Sequence, residues 1–299
     1  MTSVTIVIPA YNHARFLGRA IESVLAQTHV EIELIVLDDG STDATPQVLA
    51  GYGSRFRWES QANLGRAATL NKGWGMSKGE ILGYLSADDY LHPDAAARAV
   101  ECLARNADAV LAYPDFTQVN EQSRALRTIR APEFSYEDMV LCGVCPVGPG
   151  AFFRRAAYER TGGWNVALRQ VPDFEYWLRL GLLGRFQRIP EVLACYRVHE
   201  GAQSFSAVSG PRAEEIVGVM DALLARPELA ASLRARAREA RANALLFAAR
   251  LHLLSGRLAT GVARAAAALR TEPGAALWRR TYRLLASGLL WRLRLAASG

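Results

Sequence analysis

Over the first 113 residues, short apolar runs alternate with segments whose apolar residues recur at helical spacing. "VTIVIP" (4–9), "IELIVL" (32–37), "RFRWES" (55–60), "ILGYLS" (81–86) and "DAVLAYPDF" (108–116) read as strands. Between them, "ARFLGRAIESVLAQ" (14–27) places Phe16, Leu17, Ala20, Ile21, Val24 and Leu25 on one helical face. "DATPQVLAGY" (43–52), "GRAATLNKGWGMSK" (65–78), loosened by Gly73 and Gly75, and "HPDAAARAVECLAR" (92–105) complete the helices. This alternation means βαβ units and a mostly parallel sheet flanked by helices, an α/β, Rossmann-like fold.

In such sheets, ligands bind outside the carboxyl ends of the strands. Three strand ends carry polar clusters: "PAYN" (9–12), "DDGSTD" (38–43) and "SADD" (86–89). Three clusters on one edge point to a site more than to three independent turns. Taken alone, each has a plain reading. Asp43 or Thr42 can cap a helix, Tyr11 can be a core aromatic, and Asp88 and Asp89 can be solvated residues before the helix that "HPDA" opens. The adjacent pair Asp88–Asp89 raises a sharper question. Like charges side by side repel, and neither is buried cheaply without a partner.

The rest of the chain is less regular, then changes character. Residues 134–204 hold "CPVGPGAFFRR", "GGWN", a helix "DFEYWLRLGLLG" (173–184) and a strand-like "EVLACYRVH" (191–199). From about residue 211, Ala/Leu/Arg-rich helices follow, and residues 243–273 resemble one tetratricopeptide-like helix pair. The expected division is therefore 1–204 as the α/β domain and 205–299 as a helical appendage.

Of the formal charge of +6, residues 205–299 carry 15 Arg, no Lys and six acids, a net +9, which leaves −3 for residues 1–204. A slightly acidic body argues against a nucleic-acid groove there. The tail, including "LWRRTYRLLASGLLWRLRLAAS" (277–298), suits a helix at a membrane surface or against a partner, or a soluble helix packed on its own domain. The N-terminus reads as a strand rather than a signal peptide. Four cysteines give no disulfide framework, and "CGVC" (142–145) has neither a second pair nor a nearby His for zinc. The expected location is cytoplasmic, peripheral at the inner face of the membrane through the basic helices. After the first strand stands "PAYNHARFLG" and not G-x-G-x-x-G, which excludes a dinucleotide dehydrogenase. A sugar nucleotidyltransferase would need a Gly-rich, basic loop at the same place. A non-catalytic sugar-nucleotide-binding or scaffold protein is the other alternative.

"TIVIPAYNHARFLGRAIESVLAQTHVEIELIVLDDGSTDAT", then "NLGRAATLNKG", then "YLSADDYLHPDA" resemble the N-terminal half of family 2 glycosyltransferases, and the resemblance extends over roughly residues 3–204. It implies the GT-A fold and an inverting, metal-dependent enzyme. The donor would be a nucleoside-diphosphate sugar, UDP-type. The acceptor would be a hydroxyl of a glycan or lipid-linked substrate, in bacterial surface polysaccharide synthesis. Carried over by motif, Pro9, Ala10, Tyr11 and Asn12 line the base pocket. Asp38 and Asp39 reach the base or ribose, and Asn63, Gly65 and Asn71 stand near the nucleotide. Leu70 stands where many members have Arg, which leaves the nucleotide open. Asp88 meets the ribose or sugar, while Asp89 binds Mn²⁺ or Mg²⁺ with His199 as a further ligand. Arg197 faces the diphosphate. "QVPDFEYWLRL" (170–180) resembles the catalytic-base helix and makes Asp173 the base, with Pro172 and Glu175 departing from the usual acids. Gly150 and Trp164 belong to acceptor-side loops, with a core role for Trp164 equally open.

Overall fold

The computed structural model describes residues 2–29, 31–199 and 207–297, with side chains up to residue 288. In chain order the elements of the first half are β1 (Val4–Ala10), α1 (Ala14–Leu25), β2 (Ile32–Asp38), α2 (Thr45–Ala50), β3 (Arg57–Ser60), α3 (Arg66–Met76), β4 (Ile81–Tyr84), β5 (Tyr90–Leu91), α4 (Ala95–Arg105), β6 (Ala109–Val119) and β7 (Ala125–Ile129). There follow α5 (Tyr136–Cys142), β8 (Phe152–Arg154), α6 (Arg155–Thr161), α7 (Pro172–Gly181) and β9 (Arg185–Arg197). The C-terminal part holds α8 (Gly210–Leu224), α9 (Ala231–Ala235), α10 (Ala237–Leu254), α11 (Leu258–Thr271), a 3₁₀ turn Pro273–Leu277 and α12 (Arg279–Ala297).

The chain divides into two compact units. The first comprises residues 1–134, 146–167 and 179–199, and the second comprises 135–145, 168–178 and 200–299. The sequence suggests one cut after residue 204, which lies outside the described residues, as do residues 200–204 of the "CYRVHEGAQS" segment. Two short stretches before it, 135–145 and 168–178, fall in the second unit.

The first unit is built on a sheet in the order β3-β2-β1-β4-β8-β6-β9-β5, with β7 beside β6. β3, β2, β1 and β4 are parallel, as the βαβ pattern requires. β8 then pairs antiparallel with both β4 and β6, while β6 and β9 run parallel, so the sheet is mixed. The helical face expected for α1 is the buried one: Phe16, Leu17, Ala20, Ile21 and Val24 are buried, and the last four share a core cluster with residues of β1 and β2. Burial of a side chain the size of Leu17 stabilises by roughly 1.5–3 kcal/mol. α3 runs unbroken through Gly73 because glycine is what its packing needs. A Cβ there would stand 2.4 Å from Cγ1 of Val7 on β1. The register brings Ala10 beside Asp38, and Leu85 follows β4 with its N–H on the Val7 carbonyl. The polar strand ends therefore lie on one edge of the sheet.

The second unit is helical. α10 lies against α5, α8, α11 and α12, and Gly256, at φ +80°, turns the chain between α10 and α11. The helix pair legible in the sequence is thus part of a larger bundle. Among the described residues, no helix is long and apolar enough to cross a membrane.

Candidate active site

The two aspartates of "SADD" follow different fates. Asp89 is buried, and its Oδ1 accepts the Arg197 main-chain N–H at 2.8 Å. Burial, and then the charge of Asp88, push its carboxyl well above the usual carboxylate range, against the pull of Arg197 and Arg66. Asp88 faces outward, with Oδ2 3.0 Å from Nε2 of His199 and 4.0 Å from Nε2 of His13. The repulsion posed by two neighbouring anions is thus eased by burying one and pairing the other with His199.

The resemblance gives the metal to Asp89; here one oxygen of Asp89 is turned onto the β9 main chain, while Asp88 presents a carboxylate oxygen beside two imidazoles. His13, Asp88 and His199 each present one ligand atom, and the three atoms lie within 4.8 Å of one another. Two imidazole nitrogens and a carboxylate oxygen form a donor set that suits a divalent transition metal. The His199–Asp88 contact is itself a hydrogen bond, and the three atoms are close enough together for one ion to reach them all. His13 escapes the motif reading because a lone His after a strand carries little signal. Its place in "PAYNH", on the same edge as the other clusters, is the hint that was there.

Several residues that the resemblance places at the nucleotide also build the scaffold of this edge. Asp39 is buried at the N-terminal end of α3. Its Oδ1 accepts from the Leu64 N–H and Gln61 Nε2, and its Oδ2 from the Gly65 N–H. Gly65, at φ +85°, lets the chain enter that helix. Asp38 is buried as well and accepts the Ser41 N–H at 3.1 Å. Asn12, at φ +55°, uses its side-chain oxygen on the N–H groups of Thr42 and Asp43, and so ties the loop after β1 to the loop after β2. Asn71 bonds twice to the Trp164 main chain, accepting its N–H and donating to its carbonyl. Asn71 and Asn12 are therefore loop clamps, Asn71 through both ends of its amide and Asn12 through its oxygen.

Arg197 does not project toward a ligand. It is 2% exposed, and its guanidinium donates to the carbonyls of Asp88, Asn120 and Glu121 and to Ser123 Oγ. Trp164 is 2% exposed and meets Trp74 and Tyr84 edge-on, which makes it a core residue rather than a sugar platform. Gly150 is a packing position: at φ +77°, a Cβ would stand 3.0 Å from Ala194. Tyr11, by contrast, is 45% exposed, with Pro9 and Ala10 closing the end of β1 just before it, and Asn63 is exposed in the loop before α3. Asp173 stands in the first turn of α7, in the second unit, where its Oδ1 accepts the Phe174 N–H at 2.8 Å.

Comparison with known proteins bears on the family and the fold. The chain is 32% identical over 197 residues to hyaluronan synthase and to chondroitin synthase of Pasteurella multocida, and spans about a fifth of the length of each (20%). It is 30% identical over 225 residues to an uncharacterized glycosyltransferase of Nostoc, covering 71% of this chain and 70% of that protein. Among solved structures, residues 1–349 of S. aureus TarS in complex with UDP-GlcNAc align over 91% of both chains, with a TM-score of 0.68 at 16% identity. A mannosyltransferase of Pyrobaculum calidifontis, in complex with GDP-Man and Mn²⁺, aligns over 99% of this chain and 86% of its own, with a TM-score of 0.60 at 21% identity. These share the α/β fold predicted from the alternating pattern. The model of glycosyl transferase family 2 matches residues 5–162, and the chain belongs to that family.

Proposed function

We propose that this protein transfers a sugar from a nucleoside-diphosphate donor to an acceptor hydroxyl with inversion, using a divalent cation. The observation that carries the reading is the juxtaposition of Asp88 with His199 and His13 beyond the strand ends of a family 2 glycosyltransferase sheet. Tyr11, exposed at the end of β1, is the ring on which the base would rest, and Asn63, exposed in the loop before α3, is assigned to the nucleotide by its motif. Asp39 acts from beneath, by fixing the entry to α3. When bound, a cation at Asp88 and His199 neutralises charge on the leaving diphosphate. Asp173, assigned by its motif, is the proposed base that takes the acceptor proton, a contribution of about 10²–10⁴-fold.

A UDP-type donor and a glycan or lipid-linked acceptor, as in surface polysaccharide synthesis, are the reading we favour. Support comes from relatives named for hyaluronan and chondroitin synthesis and a fold neighbour solved with UDP-GlcNAc. Peripheral contact with an anionic membrane is supported by Leu258, Val262 and Leu269, which are exposed on α11 in an Arg-rich region. A scaffold protein is disfavoured by the intact Asp88–His199 pair.

The test is calorimetric binding of UDP, GDP, dTDP and ADP, each with Mn²⁺ and with a chelator, to wild type and Asp88→Ala. One nucleotide binding only with metal, and lost in the variant, supports the reading. Binding of none, or binding indifferent to metal and to Asp88, rejects it. Proton NMR of the product anomer, with the matching donor sugar, decides inversion.

A further inference from the structure

We infer that His13 is a third protein ligand of the cation site and makes it selective for a transition-metal cation such as Mn²⁺ over Mg²⁺. This rests on the metal-dependent reading of Asp88 and His199 above. The argument starts from the other side of the imidazole. Nδ1 of His13 lies 2.7 Å from the Tyr11 carbonyl oxygen. A carbonyl only accepts, so Nδ1 carries the proton and donates it. That leaves Nε2 as the ring nitrogen able to ligate, and it lies 4.0 Å from Asp88 Oδ2.

At 4.0 Å the two atoms are beyond hydrogen-bond distance, which leaves room for one ion that both could ligate. A ligating histidine whose other ring N–H donates to a main-chain carbonyl is the usual way in which proteins orient a metal ligand. The backbone of His13 is fixed too: its N–H donates to Thr45 Oγ1 at 3.0 Å, and Thr45 is fully buried. His199 is held on its far side by the Phe16 ring, with centroids 5.1 Å apart. The three ligand atoms are thus delivered by three separate segments, the loop after β1, the turn after β4 and the end of β9.

The donor set decides the metal. Mg²⁺ demands oxygen ligands and gives up its water reluctantly, whereas imidazole nitrogen suits the later divalent metals. With Asp88 and His199 alone the site offers one nitrogen and one oxygen. With His13 it offers two nitrogens, which lowers the relative affinity for Mg²⁺.

The experiment is Mn²⁺ titration of the full chain followed by electron paramagnetic resonance, with Mg²⁺ competition, on wild type, His13→Ala and Asp88→Asn. Wild type should hold Mn²⁺ about tenfold or more tighter than Mg²⁺ and show pulsed-resonance couplings to two histidine nitrogens. His13→Ala should lose one of those couplings and about 10–100-fold in Mn²⁺ affinity, with a much smaller change for Mg²⁺. If circular dichroism shows that His13→Ala does not fold, His13→Gln is read in its place. Should the His13 variant bind Mn²⁺ like wild type while Asp88→Asn abolishes binding, the site stands and His13 is no part of it. Should wild type bind no Mn²⁺, or Asp88→Asn bind it unchanged, the metal-dependent reading itself fails, and the role of His13 with it.

Discussion

Arg197 Nε donates to the main-chain carbonyl of Asp88 at 2.8 Å, so the residue two before His199 holds the turn that carries the histidine's partner. The same guanidinium reaches Asn120, Glu121 and Ser123 through Nη1 and lies over the Phe16 ring at 4.7 Å. Lysine cannot reproduce a planar fork that serves acceptors in several directions. Arg197→Lys should therefore cost about 2–4 kcal/mol of stability, through buried carbonyls left without donors. Mn²⁺ affinity should fall with it, because Asp88 loses its anchor. Urea denaturation and metal titration on the same variant check this. Unchanged stability would mean that the guanidinium is free to serve a bound diphosphate, as the motif alone suggests.

Gly150 separates a packing role from a ligand role. Alanine there must hold φ near +77° and push on Ala194, Leu91 and Pro114. Strain of this kind costs of order 1–3 kcal/mol. Gly150→Ala should lower the melting temperature and leave the donor KM within about twofold, a change worth less than ~0.5 kcal/mol. A variant of normal stability with a strongly raised acceptor KM would restore the acceptor-loop assignment.

The pair Asp115–Arg188 sets an acid limit on the first unit. Asp115 on β6 is buried and accepts from Arg188 Nε at 2.9 Å, from Nη2 at 2.7 Å and from the Ala131 N–H at 2.9 Å. Burial alone would raise its pKa, but Arg188 and the Ala131 N–H outweigh that and hold it below the ordinary carboxylate value. A depressed carboxylate stabilises the fold above its unfolded pKa of about 3.9, and this contribution is lost as pH falls through the lower folded value. Asp115→Asn should cost about 1–3 kcal/mol at pH 7, because Arg188 is left with Glu133 as its anionic partner. It should also flatten the loss of stability below about pH 4, which denaturant midpoints across pH 2–7 would show.

What the sequence disclosed follows from what each signal measures. Periodicity reports burial, so the parallel strands and the inward face of α1 were legible, and the edge where polar clusters gather followed from strand direction. Motif resemblance reports position along the chain, and it brought Asp88, Asp89 and His199 forward together. It could not say which of two adjacent aspartates turns outward, because successive residues in a turn diverge by an angle that only the fold fixes. The same limit applies to Asn71, Trp164 and Arg197. Their side chains answer to partners 93, 93 and 109 residues away, contacts that no local pattern encodes. His13 was invisible for the opposite reason: its meaning depends on Asp88 and on a carbonyl two residues before it.

Glu215, on α8, bears on the proposed base. Its carboxylate accepts the main-chain N–H groups of Arg169 at 3.0 Å, Gln170 at 2.7 Å and Val171 at 3.3 Å, the residues that lead into α7. Anions are favoured at a helix N-terminus, and here one carboxylate gathers the donors just before Asp173. Glu215 thus acts as a positioning residue, fixing where α7 begins. Glu215→Ala should cost about 1–3 kcal/mol of stability from the unsatisfied N–H groups. A shift of the base by even 1 Å can cost about 10²-fold in turnover, so kcat should fall far more than the donor KM changes. Glu215→Gln keeps one acceptor oxygen and should recover part of kcat. Asp173→Asn should remove kcat without moving the melting temperature, because an amide oxygen still accepts the Phe174 N–H. If Glu215→Ala lowers stability yet leaves kcat intact in the folded fraction, α7 needs no such anchor and the base must be sought on another element.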